Sequence, residues 1–252
     1  MTQKPQAVGI IPARWDSSRF PGKPLALLGG KPMVLWVMEA ADRAASLDEV
    51  IVATDDSRIR DAVTQAGGKA CMTSPEHETG SDRIAEVAAG GNWEIVVNIQ
   101  GDEPLIDPFV IDRAVEGLKA NPDIPVSTLK TPIKSKEEFN DPNAVKVVTD
   151  INDRALYFSR SSIPFDRDGN QGDKEKIKGS YRHLGLYAYR KNFLIEFTQM
   201  RSTILETKEK LEQLRILESG HSILVLEVSS ISPGVDCPED LARLETLIKD
   251  RE

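Results

Sequence analysis

The sequence predicts an α/β protein built on a mostly parallel, doubly wound, Rossmann-like sheet with an added mixed or antiparallel lobe. In the first half of the 252-residue chain, short apolar runs alternate with amphipathic helical segments. The apolar runs are continuous, which is typical of parallel strands covered on both faces. The segment at about 125–190 is richer in β-branched and aromatic residues, which favours half-buried strands. We therefore expect a single domain over residues 1–252, with a lobe at about 125–190.

The expected elements follow in order along the chain. In the first half, strands are predicted at 7–11, 49–54, 69–73 and 94–100, and helices at 33–45, 57–68, 80–89 and 108–121. In the second half, strands are predicted at 126–133, 144–150, 155–164, 182–190 and 223–229, and helices at 206–220 and 237–250. Typical start and stop signals support these bounds, such as Ser57 at the start of one helix and Gly67 at its end. The polar loop at 166–180 could serve as a lid or as part of a dimer contact.

Composition narrows the classes of function. The net charge of -8 argues against nucleic-acid binding and against binding to an anionic membrane, because both depend on a dense positive field. Cys71 and Cys237 are the two cysteines, and their spacing indicates neither a disulfide framework nor a zinc site. No apolar run approaches the roughly 18 residues that span a bilayer, and the first residues lack the apolar core of a signal peptide. We expect a cytoplasmic protein without stable membrane contact.

Polar side chains follow three of the predicted strands. The three groups are Arg14, Arg19 and Lys23, then Asp55 and Asp56, and then Gln100, Asp102 and Glu103. Ligands of open parallel sheets bind at the carboxyl ends of the strands. This edge of the sheet is therefore the expected binding site.

The first of these groups lies on a loop stiffened by prolines, and its three cations could together bind a polyphosphate. The alternative is that they are three solvated surface cations. The loop is not a Walker A motif, because Ser17 replaces its first glycine and Pro24 replaces its Ser/Thr. No Gly-x-Gly-x-x-Gly follows the first strand, which disfavours an NAD-linked dehydrogenase.

Two carboxylates could complete such a site. Asp102 follows a buried strand, and Asp236 lies between the last strand and the last helix. Mg²⁺ prefers one or two carboxylates together with phosphate oxygens, so the pair predicts a magnesium site. The alternatives are a turn residue for Asp102 and a helix N-cap for Asp236.

Several motifs resemble one known family. They are IIPARWDSSRFPGKPL, VNIQGDEPLI, YFSRSSIPF, RHLGLYAYR, LEQLRIL and GVDCPEDL, in this order. From about residue 7 to 250 the chain resembles the 3-deoxy-manno-octulosonate cytidylyltransferases, also called CMP-Kdo synthetases. The resemblance implies a nucleotidyltransferase domain and a cytoplasmic, Mg²⁺-dependent homodimer. It also implies transfer of CMP from CTP to the sugar acid Kdo, with release of pyrophosphate, for lipopolysaccharide biosynthesis.

The resemblance also implies roles for individual residues. The implied CTP-binding residues are Ala13, Arg14, Arg19, Lys23, Gly80, Ser81, Arg83 and Asp102. Asp102 and Asp236 would hold Mg²⁺, and Arg14 and Lys23 would act with them in catalysis. The implied sugar-binding residues are Gln100, Arg160, His183, Tyr187, Glu212 and Gln213. The lobe at about 125–190 would bind the sugar and carry the dimer contact, whereas His77 is expected to be a surface loop residue.

The spacing of the implied sugar-binding residues gives two further expectations. His183 and Tyr187 lie four residues apart and should share one face of a strand. Glu209, Glu212 and Gln213 would share one face of the helix at 206–220, although a solvated charged stripe would show the same spacing. Which glutamate faces the sugar is left open.

Two other functions compete with this one. The chain could be a cytidylyltransferase for a related sugar acid, such as 8-amino-Kdo or sialic acid, since the same phosphate loop would serve. It could also be a nucleotide-binding protein without catalytic activity. The pairing of three cations with two carboxylates argues against the second alternative, because a protein that only binds nucleotide does not need both carboxylates.

Overall fold

The computed structural model describes residues 7–16, 20–167, 177–229 and 232–249. The strands are β1 (Ala7–Ala13), β2 (Leu27–Leu28), β3 (Lys31–Pro32), β4 (Glu49–Thr54), β5 (Lys69–Met72), β6 (Ile95–Asn98), β7 (Val126–Pro132), β8 (Lys146–Thr149), β9 (Ala155–Ser159), β10 (Tyr181–Arg190) and β11 (Ile223–Glu227). The helices are α1 (Met33–Ala41), α2 (Ser57–Gln65), α3 (Gly80–Ala89), α4 (Pro108–Ala120), α5 (Lys136–Asn140), α6 (Lys191–Gln199), α7 (Ile204–Glu209), α8 (Gln213–Glu218) and α9 (Pro238–Lys249). A short 3₁₀ turn covers Lys23–Leu25.

One mixed sheet organises the molecule. Its main strands lie in the order β11, β7, β10, β6, β1, β4, β5, and β8 and β9 extend it from β10. The strand β1 pairs in parallel with β4 on one side and with β6 on the other. The strand β10 runs antiparallel to both of its main neighbours, β6 and β7. The predicted fold class, a mostly parallel α/β sheet with an antiparallel addition, is confirmed.

Two apolar layers cover the sheet because its central strands are buried along most of their length. Side chains of α1, α2 and α4 pack on one face, and side chains of α3, α6 and α8 pack on the other. The helix α9 forms a smaller cluster with β2 and the start of α1. No helix in the described ranges combines the length and the apolar character needed to cross a membrane.

The predicted helix at 206–220 is wrong as a single element. The chain forms two short helices, α7 and α8, and Lys210 between them adopts the left-handed conformation with a φ of 53°. The Arg160 guanidinium donates to the carbonyls of Glu209, at 2.6 Å, and of Lys210, at 3.4 Å. This long-range contact satisfies carbonyls that a continuous helix would have used. The predicted shared face of Glu209, Glu212 and Gln213 is therefore also wrong.

The segment at about 125–190 is continuous with the main sheet. The strands β7 and β10 belong to the sheet itself, whereas β8 and β9 form an antiparallel pair at the Tyr181 end of β10. The predicted strand at 155–164 ends at Ser159, because the next residues leave the sheet to bond with Glu209. Of the loop at 166–180, residues 168–176 lie outside the described residues.

Candidate active site

A cleft of about 320 Å³ lies at the carboxyl ends of β1 and β6. Its lining residues are Pro12, Ala13, Arg14, Lys23, Pro24, His77, Thr79, Gly80, Arg83, Gln100, Gly101, Asp102 and Asp236. They come from the end of β1 and the loop after it, from the loop after β6, from the start of α3 and the residues just before it, and from the segment before α9. The cleft therefore lies where the sequence predicted a binding site.

The predicted cations and carboxylates meet in this cleft. The Lys23 Nζ donates to Asp102 Oδ2 at 2.9 Å and to the carbonyl of Val235 at 3.0 Å. The Val235 backbone N–H donates to the Asp102 carbonyl at 2.8 Å, so the segment carrying Asp236 is tied to the loop after β6. Arg14 lines the same cleft, whereas Arg19 lies outside the described residues. The two cations Arg14 and Lys23 and the two carboxylates Asp102 and Asp236 make the cleft suited to a ligand that carries both phosphates and a cation.

A glycine allows the loops after β1 and β6 to approach closely. A Cβ at Gly101 would lie 2.8 Å from the carbonyl oxygen of Pro12, a distance that real side chains do not tolerate. The Ile99 N–H also donates to the Ile10 carbonyl at 3.0 Å, which continues the strand pairing toward the cleft. The position of Asp102 relative to Arg14 therefore depends on a small residue at 101.

The start of α3 forms another wall of the cleft. Thr79 and Asp82 form a capping box that fixes the first turn, and Gly80 packs against the Pro12 ring. Arg83 is buried, bonds Thr73 and donates to Asp55 Oδ2 at 2.7 Å, which leaves part of its guanidinium edge on the cleft. The structure thus places Gly80 and Arg83 on the cleft and gives Asp55 a supporting contact.

His77 lies in the loop before α3, as expected, and it also lines this wall of the cleft. Its ring bonds Glu86, whose carboxylate also accepts the Ser74 N–H at 3.0 Å. These two hydrogen bonds, led by the one from Ser74, lower the pKa of Glu86 below its ordinary value. The sequence signal for a contact between His77 and the cleft was that His77 lies three residues before Gly80, which begins α3 and was itself a predicted CTP-binding residue.

The predicted sugar-binding residues of β10 are not among the residues that line this cleft. His183 and Tyr187 are both buried, and their ring centroids lie 5.3 Å apart, which confirms that they share a face. The Thr128 hydroxyl and His183 Nε2 form a hydrogen bond of 2.9 Å. Burial lowers the pKa of His183 to about 3, so this imidazole is neutral near pH 7. Gln100 donates to the carbonyl of Gly185 at 2.8 Å and so joins β10 to the cleft wall.

The Tyr187 hydroxyl is buried and has no hydrogen-bond partner within the described part of the chain. A buried polar group without a partner costs about 1–3 kcal/mol, so folding gains nothing from keeping this oxygen. Burial also raises the pKa of Tyr187 well above its ordinary value, which keeps the hydroxyl protonated and able to donate. The Tyr187 hydroxyl can therefore donate a hydrogen bond for which the described residues supply no acceptor.

Glu212 and Gln213 lie at the start of α8 and connect to α3. The Ser81 hydroxyl donates to Glu212 Oε2 at 2.8 Å, while Gln213 is buried. Burial raises the pKa of Glu212 above its ordinary value, although the bond from Ser81 opposes this. The predicted nucleotide segment and the predicted sugar segment are therefore in direct contact.

Arg160 is not among the residues that line the cleft. Besides its bonds to Glu209 and Lys210, its guanidinium donates to the Pro142 carbonyl at 3.0 Å. The Glu209 carboxylate accepts the Ser159 hydroxyl at 2.7 Å and the Arg160 N–H at 2.9 Å. In this arrangement Arg160 and Glu209 join β9 to the break between α7 and α8.

The donor set of the cleft suits a hard divalent cation bound together with phosphates. No cluster of three or more His, Cys, Asp or Glu side chains that could hold a metal by itself occurs within the described ranges. Asp102 and Asp236 supply two carboxylates, and phosphate oxygens would complete an oxygen shell of the kind Mg²⁺ prefers. The residues present therefore fit magnesium that arrives with a nucleotide.

Comparison with known proteins gives consistent results. A family model described as Cytidylyltransferase matches residues 8–223. The 3-deoxy-manno-octulosonate cytidylyltransferase of Trichlorobacter lovleyi is 52% identical over 249 residues, which cover 97% of this chain and 99% of that protein. The protein of the same name from Geotalea daltonii is 53% identical over 247 residues, covering 96% and 98%. Among solved structures, a CMP:2-keto-3-deoxy-manno-octonic acid synthetase complexed with CTP has a TM-score of 0.92 and 42% identity, with 98% and 100% of the two chains covered.

Proposed function

The chain belongs to the 3-deoxy-manno-octulosonate cytidylyltransferase family, and from this premise we propose that it transfers CMP from CTP to Kdo for lipopolysaccharide biosynthesis. In this reaction the anomeric hydroxyl oxygen of Kdo forms a bond to the α-phosphorus of CTP. The bond between the α-phosphorus and the bridging oxygen breaks, pyrophosphate leaves and the hydroxyl proton is released. The observation that carries the proposal is the convergence of Arg14, Lys23, Asp102 and Asp236 on one cleft.

The cations of the cleft would act on the leaving group. Negative charge increases on the pyrophosphate as its bond to the α-phosphorus breaks, and Arg14 and Lys23, which both line the cleft, would stabilise that charge. Lys23 is held by Asp102 and the Val235 carbonyl, so it is already ordered at the edge of the site. Such preorganised charge contributes more to the rate than to the affinity for the substrate.

We assign Asp102 and Asp236 as the residues that would hold Mg²⁺. Bound there, the ion would neutralise phosphate charge and lower the pKa of the attacking hydroxyl. This role accounts for two carboxylates beside an anion-binding loop, an arrangement that would otherwise repel the nucleotide. Removal of divalent ions with EDTA should abolish turnover, and added Mg²⁺ should restore it. Full activity after metal removal would contradict the assignment.

The sugar acid would lie between the cleft and β10. The Tyr187 hydroxyl can donate to a sugar hydroxyl, and Gln100 offers its carbonyl oxygen. Glu212, linked through Ser81 to α3, could accept from another hydroxyl. The Arg160 guanidinium donates to backbone carbonyls, and these bonds compete with the predicted role of Arg160 at the Kdo carboxylate.

A homodimer in the cytoplasm is part of the proposal. Large apolar side chains are exposed on and beside the lobe, among them Leu156 at 62% and Phe165 at 87%. A second copy of the chain would remove such side chains from water. Sedimentation of the wild type should give the mass of a dimer, and Leu156→Glu should shift it toward the monomer. A wild-type monomer at assay concentration would contradict this part.

The experiment that tests the function is a coupled pyrophosphate assay. CTP, UTP and ATP would each be combined with Kdo, 8-amino-Kdo and sialic acid. We expect pyrophosphate release to be strongest with CTP and Kdo. Faster turnover with another sugar acid would identify a related cytidylyltransferase, and no release from any combination would contradict the proposal.

A further inference from the structure

Trp15 stacks against the helix α2, and no residue of α2 lines the cleft. The Arg58 guanidinium, in the first turn of α2, lies 3.4 Å from the centroid of the Trp15 ring. Arginine over an indole face at this distance is a favourable cation–π contact. Gly22 lies against the same ring, because a Cβ there would be 2.9 Å from Trp15 Cη2. Gly22 also has a φ of 71°, which a side chain would resist.

Hydrogen bonds to Asp56 hold the Arg58 guanidinium in place. It donates to both oxygens of Asp56, at 2.9 Å from Nε and 2.5 Å from Nη2. The same carboxylate caps α2 by accepting the Arg58 N–H at 2.8 Å. These bonds lower the pKa of Asp56 below its ordinary value, so the pair stays ionised near pH 7. The stack is therefore anchored to the start of a regular helix.

The stack supports the residues beside two cleft cations. Trp15 directly follows Arg14, and Gly22 directly precedes Lys23. The Gly22 N–H donates to the Trp15 carbonyl at 3.0 Å, which brings the backbones of these two neighbours together. Arg14 and Lys23 both line the cleft, whereas Arg58 does not.

We propose that Arg58, acting through Trp15 and Gly22, is a positioning residue for the phosphate-binding cations Arg14 and Lys23. The inference rests on the proposed cytidylyl transfer. Catalysis by preorganised charge needs those cations at fixed positions, and a misplacement of about 1 Å can cost much of the rate. The Arg58 side chain is 54% exposed, so the stack contributes little to the apolar core. Its effect is to order the loop after β1.

The test compares Arg58→Ala with a matched control on the same helix. Arg60→Ala also removes an exposed arginine of α2 that is paired to a neighbouring aspartate, in this case Asp61. We expect Arg58→Ala to lower kcat/KM for CTP about fivefold or more, as the loss of a cation–π contact and of the order it gives implies. The KM for Kdo and the melting temperature should stay at the wild-type values. Arg60→Ala should leave all of these quantities unchanged.

Substitutions of Trp15 separate the stack from other roles of Arg58. Trp15→Phe keeps an aromatic face and should retain most of the activity. Trp15→Ala should lose about as much as Arg58→Ala, and the double variant should lose no more than either single variant, because both remove the same contact. Fully additive losses would overturn the proposal.

Hydrogen exchange at the Gly22 amide gives a readout that is independent of the reaction. We expect faster exchange in Arg58→Ala and wild-type exchange in Arg60→Ala. Wild-type kinetics together with unchanged exchange in Arg58→Ala would overturn the proposal. So would a lower melting temperature with a raised KM for Kdo, since that pattern indicates a general structural role. Failure of the wild type to release pyrophosphate would instead contradict the proposed function, while the exchange result would still test the stack.

Discussion

The two sides of the site hold their polar groups in different ways. On the phosphate side, defined by Arg14, Lys23, Asp102 and Asp236, charged groups lie on loops and keep contact with water. The side chains of Lys23 and Asp102 are 16% and 34% exposed. On the sugar side, defined by His183, Tyr187, Glu212 and Gln213, the groups lie on or beside regular elements, and His183, Tyr187 and Gln213 are buried.

This difference follows from the cost of burying charge. An ion removed from water needs a partner of opposite charge, so the phosphate side pairs Lys23 with Asp102 until a ligand arrives. Neutral hydrogen-bonding groups cost less to bury and can be fixed in advance by packing. We infer that the phosphate side supplies electrostatic stabilisation and that the sugar side supplies selectivity through fixed geometry.

The largest effect should come from the phosphate side. Asp102→Asn keeps the shape of the side chain but removes the charge that would hold the metal and that pairs with Lys23. We expect kcat to fall at least about a hundredfold, as for the loss of one preorganised electrostatic group. Asp61→Asn, which changes an exposed carboxylate on α2, is the control and should behave as wild type. Near-normal turnover in Asp102→Asn would reject the metal assignment.

The next prediction concerns the pH dependence of the free energy of unfolding, which the buried His183 on the sugar side should produce. Burial lowers the pKa of His183 in the folded protein to about 3, from an ordinary value of 6.5. At pH values between these two pKa values, the unfolded chain binds a proton at His183 that the folded chain does not. The stability that comes from burying the neutral imidazole is therefore fully present above the unfolded pKa and is lost as the pH falls. From about pH 7 to about pH 5 the loss should be about 2 kcal/mol.

Chemical denaturation of the wild type and of His183→Asn at several pH values measures this loss. We expect the variant to have a lower overall stability, but its stability should fall less between those pH values because the buried imidazole is gone. Equal pH dependence in wild type and His183→Asn would show that His183 is not buried in the neutral form.

A smaller effect tests whether the sugar side is built for a ligand. Tyr187→Phe removes the hydroxyl that is buried without a partner in the described part of the chain. We expect the KM for Kdo to rise about tenfold, which corresponds to one lost hydrogen bond of about 1.4 kcal/mol, while the KM for CTP stays constant. The melting temperature should stay the same or rise, because an unpaired buried group has been removed. A lower melting temperature with an unchanged KM for Kdo would show that the hydroxyl serves the fold.

The sequence predicted the phosphate side better than the sugar side, and the reason is physical. Continuous apolar runs locate the ends of buried strands, and these ends meet at one edge of a parallel sheet. The positions of Arg14 and Asp102 therefore followed from local patterns. The sequence did not predict that His77 lines the cleft, because this depends on how the loop before α3 packs in three dimensions, which no local pattern encodes.

The break between α7 and α8 was missed for a similar reason. Lysine and glutamate favour helix, and the sequence around Lys210 offers no glycine or proline to end one. The break depends instead on Arg160, which is 50 residues away in sequence and donates to the Lys210 carbonyl. A long-range hydrogen bond thus overrides the local helix propensity and sets the start of α8, where Glu212 and Gln213 lie.

The smallest effect tests that break directly. Lys210 has a φ of 53°, a conformation that costs a side chain about 1–2 kcal/mol and glycine almost nothing. The greater entropy of glycine in the unfolded chain offsets part of this gain. Lys210→Gly should therefore raise the free energy of unfolding by about 0.5–1 kcal/mol. Lys208→Gly, two residues earlier within α7, is the matched control and should lower it by about 1 kcal/mol. Equal destabilisation by both substitutions would mean that the helix continues through residue 210. Glu209, Glu212 and Gln213 would then share one face of that helix.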